Sequence, residues 1–146
     1  MLIFEKALYR LVLASIAVFL LIALLSDGFI GSLQGFIILQ QHPARLINDF
    51  TVIGGIGGAM LNAVIMGLLS LLLIRVNQIR LSGPTMAALF TIIGFSLFGK
   101  TPVNALPIVA GVYLAARAVG KSFKNYILIA MFGTALGPLV TFLVYE

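Results

Sequence analysis

The chain has 146 residues, which suits one compact unit. It is 62% hydrophobic and 9% charged, against about half apolar and about a quarter charged in soluble domains, so it lacks the polar groups to cover a water-facing surface and a soluble enzyme is excluded. Its net charge of +5 comes from cations standing at the ends of apolar stretches rather than in a patch, which argues for membrane flanks and against nucleic acid, and with no cysteine it has no disulfide, thiolate chemistry or Cys-ligated metal.

A membrane helix needs about 20 mainly apolar residues to cross about 30 Å of hydrocarbon. Ala7 to Ser26 is the first stretch to meet that test, and Asp27 and Gly28 end it. Lys6 and Arg10 at its start predict a cytoplasmic N-terminus with Asp27 outside. Leu24-Leu25-Ser26-Asp27 offers no Ala-x-Ala-like cleavage site, so the stretch reads as a retained span and not as a signal peptide. Phe29 to Leu39 follows and is only a half-span. The polar Gln40-Gln41-His42-Pro43 stops it, and the stretch predicts an interfacial or re-entrant helix on the outer side. Thr51 to Ile74 is the second full span, with Asn48 and Asp49 as natural N-caps and Arg75 directly after it, so it runs from outside to inside.

Pro84 to Phe98 and Asn104 to Val119 are apolar but short, each reaching about 22–24 Å at the helical rise. Arg80 precedes the pair and Arg117 and Lys121 close it, so both flanks are expected in the cytoplasm. They predict a hairpin whose tip, Gly99-Lys100-Thr101-Pro102-Val103, stops inside the membrane unless tilt or thinning brings it across. Tyr126 to Tyr145 is the third full span and starts inside, behind Lys121 and Lys124. Small residues at four-residue spacing, Gly55, Ala59, Ala63 and Gly67 on the second span and Gly133, Gly137 and Thr141 on the last, predict close helix contacts. The fold class expected is all-α: a polytopic transmembrane bundle forming a single domain over residues 1–146, with three full spans, one short outer-side helix and one short broken-helix hairpin.

One nucleotide motif fits by letter. Gly94-Phe95-Ser96-Leu97-Phe98-Gly99-Lys100-Thr101 matches G-x-x-x-x-G-K-[ST], but a P-loop must follow a strand and open a helix. Here it lies in a membrane-type apolar stretch, Pro102 removes an N–H donor, and no acid stands nearby to hold magnesium. The same residues read better as a broken-helix tip, where free N–H groups, carbonyls and the positive end of the returning helix can hold a solute. Gly99 and Pro102 break the helix, Asn104 is placed to cap the returning limb, and Lys100 adds a charge that would favour an anion or a polar neutral solute. Asn62 is the one strongly polar residue in the middle of the second span, as interhelical glue or pore lining. The expected substrate-path residues are therefore Asn62, Gly99, Lys100, Thr101 and Asn104. His42, a lone histidine in an outer loop, reads as a surface residue, Asp49 as a cap, and Arg117 with Lys121 as a lipid-headgroup contact. No paired carboxylates, Ser-His-Asp set or metal cluster is present, so no enzyme, cofactor or metal is expected. These features predict a membrane transporter or channel half that passes a small polar or anionic solute, pairing as a homodimer or with a second half. The alternative is a non-transporting membrane scaffold or assembly subunit.

The stretch GFSLFGKTPVNALPIVAG, Gly94 to Gly111, with GTALGPLV, Gly133 to Val140, resembles domain-of-unknown-function family 1576. That resemblance implies a bacterial inner-membrane, multi-pass protein and, because the family's members are longer with a repeated half, an N-terminal half or truncated member of a duplicated architecture. It carries no activity and no site residues.

Overall fold

The computed structural model describes residues 3–43 and 48–145. The elements are α1 (Ile3–Gln41), α2 (Phe50–Val76), α3 (Gly83–Phe95), α4 (Pro102–Ala118), α5 (Ile127–Gly133) and α6 (Gly137–Tyr145), with 3-10 turns at Phe123–Tyr126 and Thr134–Leu136. Three helical stretches are long and apolar enough to cross a membrane, Ile3–Gln41, Phe50–Val76 and Phe123–Val144, and two shorter apolar helices, Gly83–Phe95 and Pro102–Ala118, accompany them. Apolar side chains cover the outside as well as the core, with Leu25 at 77% and Leu114 at 65% exposure. Helices that are apolar all round belong in lipid, and the protein is an all-helical membrane-type bundle.

The first two helices are broken by glycine. Gly28 sits at φ 66°, ψ 179° and Gly55 at φ 73°, ψ 166°, a region essentially closed to residues with a Cβ. Gly28 falls where the first span was expected to end. Gly55 corrects the second: the stretch from Thr51 to Ile74 is not one helix but a short limb, residues 50–54, and a long limb, residues 56–76, the latter about 31 Å at the helical rise. The two breaks face one another. The Gly57 N–H donates to Asp27 Oδ2 at 2.6 Å, so Asp27 caps the long limb of α2 and satisfies one of its orphan amides. The Ser32 hydroxyl lies 2.8 Å from the Ala23 carbonyl and 2.7 Å from that of Gly28, tying the two limbs of α1 across their break.

Residues 3–27 pack antiparallel to the long limb of α2, with Asp27 against Gly57 at one end and Ile16 against Gly67 further along. Beyond Gly28 the chain turns back over α2. A Cβ on Gly35 would lie 1.9 Å from the Gly54 carbonyl oxygen, and one on Gly58 would lie 2.7 Å from Gly35 Cα, so the helices touch backbone to backbone. The small-residue contact expected on α2 therefore exists but is shifted: Gly54 and Gly58 make the closest approach, Gly55 is the break, and Ala59 and Ala63 are buried behind it. The main core joins Val12 and Ile16 to Met66, Ile74, Leu89 and Ile92, and Leu39, Phe50 and Ala59 form a second cluster near the breaks.

The hairpin limbs also differ in their bounds from the expected ones. α3 ends at Phe95 rather than Phe98, and α4 begins at Pro102 rather than Asn104. The cap of α4 is Thr101, whose hydroxyl accepts from the Asn104 amide, while Asn104 Oδ1 accepts from the Thr101 amide at 2.9 Å. Asn104 is thus the third-position partner of a capping box and not the cap itself, and Pro102 occupies the first turn, where its missing N–H costs nothing. The last span, expected as one helix from Tyr126 to Tyr145, is interrupted by the 3-10 turn Thr134–Leu136. Pro138 lies just beyond, and a proline conflicts with the carbonyl four residues before it, here that of Thr134.

Candidate functional site

Asn62 is the joint between the α3–α4 tip and the rest of the bundle. It is fully buried in the long limb of α2, and its Nδ2 donates to the Ser96 carbonyl at 2.7 Å and to the Lys100 carbonyl at 2.8 Å. Ser96 is the C-cap of α3, so its carbonyl is one that the end of a helix leaves without a donor, and Lys100 lies in the turn just before the cap of α4. Asn62 Oδ1 accepts from Gln40 Nε2 at 3.3 Å, which brings in the end of α1. The Phe50 amide, at the start of α2, donates to the Leu97 carbonyl at 3.1 Å. Residues from both limbs of α2 therefore hold a turn that otherwise has no regular structure, and Gln40 of α1 braces Asn62 from behind.

The rest of the tip is built around Asn104. Gly99 adopts φ 111°, open only to glycine, and its carbonyl accepts from Asn104 Nδ2 at 2.8 Å. The same amide donates to Thr141 Oγ1 at 3.1 Å, and a Cβ on Gly137 would lie 2.5 Å from Asn104 Oδ1. Gly137 and Thr141, expected as packing positions, are where α6 closes on the tip. Lys100 is fully buried with its Nζ 5.9 Å from the centre of the Phe95 ring. Among the described residues no hydrogen-bond acceptor reaches that Nζ, and no donor reaches the buried Gln40 Oε1.

Beside this knot lies a pocket of about 230 Å³. Gln40, His42, Thr101, Asn104 and Thr141 give it polar walls, and Val103, Pro107, Val140 and Val144 apolar ones. The five expected site residues thus divide into two groups. Thr101 and Asn104 line the pocket, whereas Asn62, Gly99 and Lys100 form the framework behind it. Gln40, His42 and Thr141 are wall residues that sequence reasoning did not place there. The available signal was the polar run Gln40-Gln41-His42 directly after a half-span, which reads equally well as a plain loop. Nothing at Gly94 to Thr101 resembles a P-loop: Gly94 sits in the last turn of α3, and no strand occurs among the described residues. Nor, among those residues, do His, Asp and Glu gather in a group able to hold a metal.

No curated protein and no solved structure matches the chain. A family model does match, over residues 30–146, which takes in both hairpin limbs, the pocket and the last span. The chain belongs to the family described as "Protein of unknown function (DUF1576)".

Proposed function

We propose that the protein is a transport module of the bacterial inner membrane, a transporter or channel half with its N-terminus in the cytoplasm, in which a small polar or anionic solute passes the tip of the α3–α4 hairpin. The observation that carries this reading is the Asn62 joint. Asn62 lies six residues inside the long limb of α2, so a tip bonded to it sits about 9 Å below that limb's outer end. α3, with 13 residues, rises about 20 Å from the opposite side, and the two lengths together match the hydrocarbon thickness. The hairpin then re-enters without crossing. Irregular backbone at such depth is tolerated only against protein or a water-filled cavity, and transporters use it to hold solutes. The small residues support the scaffold alternative less well, because Gly35, Gly54, Gly58, Gly67 and Gly137 are consumed by contacts inside the chain. Five or six membrane segments enclose too narrow a path alone, so pairing with a second copy or a second half belongs to the proposal.

The test is solute uptake into proteoliposomes, with a cysteine at position 100 as a depth probe in a chain that has no other cysteine. Uptake above protein-free vesicles is expected, with slow labelling of position 100 from the outer side. Labelling as fast as at an exposed loop would end the re-entrant reading.

A further inference from the structure

We infer that a second pair of limbs enters from the outer face, and that the pocket between the end of α1 and the tip of α3–α4 recognises a small uncharged solute carrying both hydrogen-bond donors and acceptors. This rests on the transport reading above. The limb of residues 29–41 leaves the outer end beside the Asp27–Gly57 contact and brings Gln40 to Asn62. The limb of residues 50–54 starts where the Phe50 amide meets the Leu97 carbonyl of the opposing tip, and it ends at Gly55, whose Cβ position is 2.7 Å from Asp27 Oδ2. Five residues climb about 7 Å and the six steps from Ile56 to Asn62 descend about 9 Å, so two separate limbs return nearly the same depth. The ends of the outer limbs, at Gln40 and Phe50, meet the α3–α4 tip there.

The pocket's described walls come from the end of α1, the α3–α4 tip and α6, and none of these described residues is Lys, Arg, Asp or Glu. The Lys100 ammonium lies over Phe95, outside the lining. On the outer limb Gln40 offers a buried oxygen that no donor reaches among the described residues. On the inner tip the Thr101 oxygen accepts from the Asn104 amide, which leaves the hydroxyl proton to give. A solute that donates to Gln40 and accepts from Thr101 answers both, as an amide does. A carboxylate brings acceptors alone and leaves Gln40 Oε1 unanswered. The volume, about 230 Å³, equals roughly seven or eight waters at their liquid share, which limits the solute to a compact molecule, and the valine walls suit a short aliphatic part.

The experiment compares acetamide with acetate in proteoliposomes of the full chain, by vesicle swelling. Val103→Trp fills the pocket from a position that is 58% exposed and outside the Asn62 joint, and Gly111→Trp, where nothing lies within 4 Å, is the control. Acetamide entry is expected to exceed acetate entry and to fall about tenfold or more in Val103→Trp but not in Gly111→Trp. A cysteine at position 42 is expected to be labelled from the outer side and slowed by acetamide. Preferred acetate entry, acetamide entry unchanged in a Val103→Trp variant that elutes from gel filtration like the parent, or labelling of position 42 only from the inner side would each overturn the inference while leaving transport standing. Entry of neither solute above protein-free vesicles would overturn the transport reading itself.

Discussion

Asn62 makes three hydrogen bonds at a depth where water is scarce, and all three join different segments. Bonds of this kind in membranes average about 0.6 kcal/mol and reach at most about 1.7 kcal/mol, because the competing states also find partners. Asn62→Ala is therefore expected to lower the unfolding free energy in mixed micelles by about 1–3 kcal/mol, and Asn62→Asp, which keeps the acceptor but neither donor, should not restore it. A variant as stable as the parent would show that the joint does not hold the tip. Gly35 is more demanding, since its Cβ position is 1.9 Å from a backbone oxygen that no rotamer can move. Gly35→Ala is expected to cost more than about 3 kcal/mol or to prevent folding, beyond the usual range for overpacking. Gly111→Ala, in open space on α4, should stabilise by up to about 1 kcal/mol through helix propensity; equal stability of the two variants would contradict the backbone contact. Local residue chemistry was largely legible beforehand. Asp49 does cap α2, its Oδ1 taking the Thr51 amide at 2.9 Å, because a cap is a bond between near neighbours. The Gln40–Asn62 bond spans 22 positions, and no local pattern announces such a pair.

At the scale of elements, charge and hydropathy located every apolar segment, because the cost of a cation in lipid acts on the sequence directly. The break at Gly55 was hidden, since a glycine that packs and a glycine that breaks look alike in Gly54-Gly55-Ile56-Gly57-Gly58. What separates them is φ, set here by the contact with Asp27 and the crossing at Gly35. The two breaks can be told apart experimentally. Gly28 has nothing within 4 Å of its Cβ position, so Gly28→Ala isolates backbone strain and is expected to cost about 1–3 kcal/mol. Gly55→Ala adds a collision with the Asp27 carboxylate and should cost more. Asp27→Ala loses the cap, about 0.5–2 kcal/mol, while Asp27→Asn keeps an acceptor in place and should cost less. Chemical denaturation of the set in one detergent gives the ranking, and Gly28→Ala found to be neutral would mean that the break is not needed.

For the molecule as a whole, Lys6 and Arg10 start α1, Arg75 ends α2, Arg80 precedes α3, Arg117 stands in the last turn of α4, and Lys121 and Lys124 lie between α4 and α5. The antiparallel run of α1 and α2 brings the first three of these to one end and Asp27 to the other. Single cysteines at positions 78 and 121 are expected to react with an impermeant maleimide only in inside-out vesicles, and one at position 30 only in right-side-out vesicles. The reverse pattern would invert the orientation proposed for the chain.

The bond between Asp27 and the Gly57 amide brings the entry and exit of the residues between them to one place. That segment is a closed excursion from an otherwise ordinary pair of helices. Excised and replaced by a short polar turn, it should leave residues 3–27 and 57–76 packed as before, so the chain can be pictured as a plain helical frame carrying a detachable plug.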